Sequence, residues 1–212
     1  MSNDTWDQFN YFPSSIYTLS KPEFLKDVKA VSDRYLKEVP KDTNEIYPVR
    51  MTGNYMNEDS IREFTDYILN TAWNILDSQG YAMDNFRTVF TEMWTQEHYK
   101  LSSMETHVHG FGVQLVGFYF LDCPKDGSRV VFQDARLGKV LTSLPEKDPT
   151  KATQASNMVN FTPEPGFLLL TNAHLPHSFT RNASNDPVRF VHFNIGVIPN
   201  QQTSCPAPAE VI

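Results

Sequence analysis

Apolar residues that recur every three to four positions predict two helices in the N-terminal part of the chain. Such a stripe, with a period of 3.6 residues, is typical of an amphipathic helix with one buried face. The first stripe follows residues 20–23, which have the sequence of a capping box, and extends to about Lys37, before Pro40. The second stripe starts at a similar capping box, residues 60–63, and ends at Gly80.

From Phe86 onwards the pattern changes to short runs of β-branched and aromatic residues between turn residues, which is typical of strands. The predicted strands are residues 88–99, 113–122, 130–132, 166–170 and 189–198. Residues 1–19 are rich in aromatic side chains, and we expect them to pack on the domain, partly as a strand. Residues 144–157 are polar and contain two prolines, so they predict a long loop.

Two helices followed by many short strands predict a mainly β fold with flanking helices. We expect a jelly roll in which the two N-terminal amphipathic helices pack on one sheet. The chain has 212 residues, of which 40% are hydrophobic, and this suffices for one domain with a sizeable core. We therefore expect a single domain over residues 1–212, with helical support at 1–85, the jelly-roll core at 86–200 and a tail at 201–212.

Charge and composition argue against several classes of function. The net charge is −7, whereas a surface that binds nucleic acid normally carries a basic excess. No apolar run approaches the roughly 20 residues that span a bilayer, and the N-terminus lacks the basic and apolar regions of a signal peptide. The two cysteines form no Cys-x-x-Cys motif. We expect a soluble cytoplasmic protein that binds neither nucleic acid nor membranes.

A pair of histidines at alternate positions, His107 and His109, is the strongest candidate for chemistry. In an extended chain the side chains alternate between faces, so both imidazoles would point to the same side. Neutral imidazole binds zinc, copper, iron and nickel, and His177 is a third candidate further along the chain. Arg189 starts an apolar strand and needs an anionic partner if buried, either a bound carboxylate or an internal Asp or Glu. On that strand His192 faces away from Arg189, and we expect it to be an ordinary sheet residue.

Residues 88–198 resemble the iron(II)/2-oxoglutarate-dependent oxygenases. The similarity is closest to the branch that includes the prolyl 4-hydroxylases and to oxygenases of bacteria and marine phages. Six short motifs carry the resemblance, in the order of the family: THVH at 106–109, GFYFLDCP at 117–124, VFQDAR at 131–136, PGFLLL at 165–170, LPHS at 175–178 and RFVHFN at 189–194. Each motif is weak alone, and the ordered set is more specific.

The resemblance implies a double-stranded β-helix that binds iron(II) and 2-oxoglutarate, with ascorbate as a candidate reductant. It implies that His107 and His177 are metal ligands. It also implies that Arg189 binds the distal carboxylate of 2-oxoglutarate, and that Tyr119 donates a hydrogen bond to this cosubstrate. The implied reaction is the hydroxylation of a peptide side chain, such as proline, or of a small molecule, with release of succinate and CO2. The implied location is the cytoplasm of a bacterium or of a phage-infected host.

The third metal ligand departs from the family pattern, which has His-x-Asp where this chain has a second histidine. One hypothesis is that His109 is the third ligand, which gives a face of three imidazoles. The other is that Asp134 supplies a carboxylate. We favour His109, because its spacing from His107 needs no rearrangement of the strand.

Two further functions remain open at this stage. The first is a cupin-like, three-histidine metalloenzyme that does not use 2-oxoglutarate, and the pairing of Arg189 with an internal carboxylate would favour it. The second is a non-catalytic jelly-roll binding module, which the absence of bound metal would favour. Residues 43–57 and 144–157 are candidates for a lid or for substrate contacts.

Overall fold

The described chain consists of two antiparallel β-sheets and three α-helices. The computed structural model describes residues 5, 7–41 and 44–200, so the predicted tail at 201–212 lies outside the described residues. The helices are α1 (Leu25–Leu36), α2 (Arg62–Ser78) and α3 (Leu137–Leu141). The strands are β1 (Ile16–Ser20), β2 (Val49–Met51), β3 (Phe86–His98), β4 (Met104–His107), β5 (Leu115–Asp122), β6 (Val130–Gln133), β7 (Met158–Phe161), β8 (Phe167–Asn172), β9 (His177–Phe179) and β10 (Val188–Pro199).

The strands form a major sheet of six and a minor sheet of four. The order in the major sheet is β1-β8-β5-β10-β3-β2, and in the minor sheet it is β4-β9-β6-β7. Every neighbouring pair is antiparallel. This is the mainly β, double-stranded β-helix architecture that the sequence predicts, and the fold-class prediction is confirmed.

The major sheet separates two hydrophobic cores, because its central strands are buried on both faces. On one face α1 and α2 pack against the sheet, as predicted, and Phe64 of α2 contacts Tyr119 and other side chains of this core. On the other face lies the barrel interior between the two sheets, a cluster rich in phenylalanine that includes Phe118 and Phe190. Side chains alternate along a strand, so neighbouring residues of one strand belong to different cores.

Both helices begin later than the capping boxes predict. Residues 22–24 form a 3-10 turn before α1, and no side chain caps it. Before α2 the Glu58 carboxylate, rather than Ser60, accepts the capping hydrogen bond, from the Ser60 backbone N–H at 3.4 Å. The two capping-box assignments are therefore wrong, because in each case a 3-10 turn precedes the α-helix.

The five predicted strands all form, with ends shifted by a few residues, and the aromatic N-terminal stretch contains β1. The sequence does not predict β2, β4, β7, β9 and α3, which have only three to five residues each and therefore carry little hydrophobic periodicity. The polar residues 144–157 lie between α3 and β7 without helix or strand. Within the described part of the chain, no helix has the length and apolar character needed to cross a membrane.

Candidate metal centre

Strand pairing in the minor sheet brings three histidines together from distant parts of the chain. His107 is the last residue of β4, and it lies directly opposite His177, the first residue of β9. His109 follows just outside β4, where its backbone N–H donates to the Ala173 carbonyl at 3.0 Å. This hydrogen bond holds His109 beside the segment that leads into β9.

The three imidazoles have the spacing of a metal site. The ring centroids of His107 and His177 are 4.5 Å apart, and that of His109 lies 5.3 Å from His107 and 5.2 Å from His177. One ligand nitrogen of each histidine lies within 4.8 Å of the other two. Three nitrogen ligands on one side leave further coordination positions open, as in catalytic metal sites.

Backbone hydrogen bonds orient two of the rings. The Nδ1 atom of His107 donates to the Glu105 carbonyl at 2.9 Å, and that of His177 donates to the Leu175 carbonyl at 3.0 Å. A histidine that is protonated on Nδ1 keeps a free lone pair on Nε2, which is the form that binds a metal.

The unpaired nitrogens fit a metal ion. The Nε2 atoms of His109 and His177 are buried and have no hydrogen-bond partner among the described residues. A buried polar atom without a partner costs about 1–3 kcal/mol, so native proteins rarely leave one unexplained. Coordination of a metal ion would satisfy both atoms, and we conclude that the donor set suits an imidazole-binding metal such as iron.

Burial keeps the imidazoles of His109 and His177 neutral at pH 7. Loss of solvent, reinforced by the neighbouring His107, lowers the pKa of His109 to about 4. Burial likewise lowers the pKa of His177 to about 4, although its hydrogen bond to the Leu175 carbonyl acts in the opposite direction. Neutral imidazole is the form that coordinates metals, so His109 and His177 can bind an ion without first losing protons.

The metal-free protein is expected to lose stability as the pH falls from 6.5 towards 4. Burial also lowers the pKa of His98, which packs in the barrel interior, to about 4. In the unfolded chain these histidines take up protons near pH 6.5, whereas in the folded protein they remain neutral, so the folded state keeps its full stability only above pH 6.5. We expect a cost of about 2 kcal/mol at pH 5 for each of His98 and His177.

Urea unfolding of metal-free protein between pH 8 and pH 4 measures this loss. His174→Ala is the matched control, because His174 is exposed and its removal should leave the slope against pH unchanged. A free energy of unfolding that stays constant from pH 7 to pH 5 would contradict neutral, buried imidazoles.

The structure places Arg189 on the opposite face of the major sheet from the histidines. Its Nε and Nη2 atoms donate to the Glu97 Oε1 atom at 3.0 and 2.6 Å, and its Nη1 atom pairs with Asp33 of α1. Glu97 also accepts from Arg50 at 2.8 Å, and its side chain is only 4% exposed. The resemblance implies that Arg189 binds a cosubstrate near the metal ligands, whereas in the structure the residue shares the helix-facing side of β10 with Val191.

Tyr119 and Asp134 also lie away from the three histidines. The Tyr119 hydroxyl donates to the Lys21 carbonyl at 2.6 Å on the helix-facing side, so its position does not suit a cosubstrate in the barrel. The Asp134 carboxylate accepts from Arg136 at 2.8 Å and lies 3.2 Å from the Lys139 ammonium. The Arg136 hydrogen bond is the main cause that holds the pKa of Asp134 well below its usual range. The structure therefore groups His109, and not Asp134, with the other two histidines.

A comparison with protein families agrees with this geometry. The family described as "Putative 2OG-Fe(II) oxygenase" matches residues 92–194, a range that includes all three histidines. Residues 92–194 belong to the 2OG-Fe(II) oxygenase superfamily. Among curated protein sequences, none matches this oxygenase significantly.

Solved structures share the fold of this oxygenase at low sequence identity. The 2-oxoglutarate-dependent epimerase SnoN of nogalamycin biosynthesis is 14% identical, with a TM-score of 0.59, covering 86% of this chain and 78% of SnoN. A prolyl 4-hydroxylase of Pseudomonas putida is 10% identical, with a TM-score of 0.58, covering 86% of this chain and 92% of its own. The viral collagen prolyl hydroxylase of Paramecium bursaria Chlorella virus-1 is 12% identical, with a TM-score of 0.54, covering 85% of this chain and 94% of its own.

Iron(II) and 2-oxoglutarate are the cofactors of this superfamily, and the two differ in how well the described residues account for them. The three imidazoles fit iron, as their spacing and the unpaired nitrogens of His109 and His177 indicate. The two residues that the resemblance assigns to 2-oxoglutarate, Arg189 and Tyr119, lie on the helix-facing side of the major sheet. The described geometry thus groups three candidate metal ligands, whereas it places the two expected cosubstrate contacts away from them.

A further histidine, His192, is buried beside the metal centre, although the sequence predicts it to be an ordinary sheet residue. Its ring centroid is 5.2 Å from that of His109, 4.8 Å from Phe118 and 4.5 Å from Trp94. It does face away from Arg189, as predicted, and therefore points into the barrel. His192 lies two positions after Phe190, a barrel residue, and residues two apart on a strand share one face. This spacing is the signal that could have identified His192.

The two predicted lid segments lie elsewhere. Residue 43 is outside the described residues, and the following segment packs on β3, where the Tyr55 hydroxyl is 2.7 Å from the Thr95 hydroxyl. The loop at residues 144–157 lines a separate cavity of about 560 Å³ that also contains Asp134. Neither segment lines the cavity that reaches His109.

Proposed function

We propose that this oxygenase holds iron(II) through His107, His109 and His177 and uses 2-oxoglutarate to hydroxylate an organic substrate, with release of succinate and CO2. The observation that carries the proposal is the convergence of three imidazoles, two of which, those of His109 and His177, have buried and unpaired Nε2 atoms. Iron bound there would supply the oxidising chemistry. We also infer that residues 1–212 act as one domain, since α1 and α2 pack on the sheet that bounds the barrel.

The protein supports this chemistry by orienting the ligands and excluding water. The carbonyls of Glu105 and Leu175 hold two rings in the protonation state that presents Nε2. The rings of Phe118 and Phe132 lie 5.5 and 6.0 Å from that of His177 and cover the buried side of the site. A dry environment strengthens the binding of a metal ion and limits stray oxidation of the protein.

Two kinds of substrate remain candidates, because structures with this fold act on both. SnoN has been solved with Fe3+, 2-oxoglutarate and nogalamycin RO, which is a small molecule. A prolyl hydroxylase of Trichoplax adhaerens has been solved with a peptide of hypoxia-inducible factor. Since epimerases and carbocyclases also occur among these structures, hydroxylation itself is part of the proposal.

Turnover of 2-oxoglutarate tests the proposed function. We expect purified protein with iron(II) and ascorbate to form succinate from 2-oxoglutarate, slowly without substrate and faster with one. His177→Ala should abolish this formation, whereas Arg181→Ala, four residues away and exposed, should retain it. Iron that binds tightly to the histidines, with no consumption of 2-oxoglutarate under any condition, would contradict the proposal.

A second candidate function is a three-histidine metalloenzyme that does not use 2-oxoglutarate. The pairing of Arg189 with the internal carboxylate of Glu97 favours it, because the guanidinium is then not available to a dicarboxylate in the barrel. Calorimetric titration of the metal-loaded protein with 2-oxoglutarate separates the two functions, since only the oxygenase mechanism requires binding.

A further inference from the structure

We propose that the cavity beside His109 is the substrate pocket and that it accepts a neutral, mainly apolar molecule. This inference rests on the proposed function, because it takes His109 as one face of the catalytic centre. The cavity has a volume of about 610 Å³, which lies within the usual range for small-molecule sites.

The cavity lies where the helical layer meets one end of the barrel. Leu76 near the end of α2 and Met83 in the connection to β3 contribute to one side, and Val197 of β10 contributes to another. His109 and Val113, the two ends of one loop, complete the lining that faces the metal centre. A molecule in this cavity would therefore contact apolar side chains and one imidazole of the metal site.

The charge of the lining selects the class of substrate. None of the residues that line this cavity is Asp, Glu, Lys or Arg. Its polar groups include the side chains of Gln114, His174 and Asn172, and the Asn172 amide is already paired with Gln79 through two hydrogen bonds of 2.9 and 3.0 Å. A charged substrate would lose solvent here without gaining an opposite charge, which is costly. For the same reason the cavity does not suit the dicarboxylate 2-oxoglutarate.

Exposed aromatic side chains occur in the lining of this cavity and in the loop between two of its lining residues. Phe111 is fully exposed in the loop that joins His109 to Val113, and Tyr81 and Phe86 in the lining are 60% and 38% exposed. Apolar side chains that are exposed together next to a cavity are typical of ligand-binding sites. They offer aromatic surfaces on which a flat apolar molecule can stack.

A second large cavity in the described part of the chain has a charged lining. It has a volume of about 560 Å³, and its lining contains the charged residues Asp134, Arg136 and Lys139 but none of the three histidines. A substrate bound there would have no direct contact with the proposed metal ligands. The cavity at His109 is therefore the better candidate for a molecule that reacts at the metal.

Three naphthalene derivatives of similar size and different charge test the proposal: neutral 2-naphthol, anionic 2-naphthoate and cationic 2-naphthylmethylamine. We expect metal-free protein to bind 2-naphthol at least about tenfold more tightly than either charged derivative, as measured by fluorescence titration at pH 7. Ala82→Asp places a carboxylate in the lining and should weaken 2-naphthol binding at least about tenfold. Ala82 is exposed and precedes a 3-10 turn, a position that favours Asp, so the variant should fold.

Ala152→Asp is the matched control, because Ala152 is exposed and does not line this cavity. It should leave 2-naphthol binding unchanged. Equal or tighter binding of a charged derivative would overturn the proposal, and so would an Ala82→Asp variant that binds 2-naphthol like the wild type. Absence of binding by all three probes would also count against it. Because these titrations need no metal, their failure is distinct from failure of the proposed function.

A second measurement tests whether the cavity adjoins the metal centre. In cobalt(II)-loaded protein we expect the proton resonances of bound 2-naphthol to be broadened or shifted by the paramagnetic ion, whereas the zinc(II)-loaded protein should show no such effect. Unaffected resonances in protein that demonstrably holds cobalt would place the probe away from His109 and overturn the assignment.

Discussion

Replacement of His177 by alanine is expected to weaken cobalt(II) binding by at least roughly 100-fold, as measured by isothermal titration calorimetry. Loss of a hydrogen bond to a metal ligand already costs about 10–100-fold in affinity, so loss of the ligand itself should cost no less. His177 is fully buried opposite His107, and among the described residues only His107 and His109 group with it closely enough to share a metal ion.

The control and a second variant make this prediction specific. His174→Ala removes an exposed histidine three residues away and should leave the cobalt(II) affinity within about twofold of the wild type. His109→Ala should reproduce the loss seen with His177→Ala, and because His109 lies outside the strands it separates metal binding from damage to the minor sheet. Similar affinities in all three variants would show that the ion binds elsewhere.

Replacement of Arg189 by methionine is expected to lower the free energy of unfolding by about 3 kcal/mol and to leave the affinity for 2-oxoglutarate unchanged. Removal of one partner from a buried ion pair typically costs about 3–5 kcal/mol, and Arg50 remains to compensate part of the charge on Glu97. The side chains of Glu97 and Arg189 are only 4% and 18% exposed, so solvent screens their interaction little.

Urea unfolding and calorimetry with 2-oxoglutarate measure the two parts of this prediction. Arg87→Met, at an exposed position on the neighbouring strand β3, should change the free energy of unfolding by less than about 1 kcal/mol. Glu97→Gln should destabilise the protein as Arg189→Met does, because it leaves two guanidinium groups without their shared carboxylate. A loss of 2-oxoglutarate binding with unchanged stability would restore the cosubstrate role that the resemblance implies for Arg189.

The sequence does not determine which face of the major sheet Arg189 occupies. Alternation along β10 correctly separated Arg189 from His192, but it could not decide which of the two faces the barrel. Both faces of this strand are apolar, with Phe190 on one and Phe193 on the other, because the central strands of the major sheet are covered on both sides. A hydrophobic pattern identifies the buried face only when the other face is exposed to solvent.

The metal centre, too, could be predicted only in part from the sequence. Spacing alone indicated that His107 and His109 would lie on one side of the chain, and their rings are indeed 5.3 Å apart. That His177 joins them follows from the pairing of β4 with β9, two strands of four and three residues. Such short strands carry almost no periodic signal, so the resemblance to a family, rather than the pattern of the residues, suggested this ligand.

The sequence by itself determined the local elements of this protein: the two amphipathic helices, the longer strands and the pair of neighbouring imidazoles. Each of these depends only on residues that are close in the sequence, within a few helical turns or a single strand. Only the tertiary structure decided that His177 faces His107, that His192 points into the barrel and that Arg189 stabilises the helix-facing layer. Each of these depends on which sheets and helices pack together, and that choice is made by contacts between residues far apart in the chain.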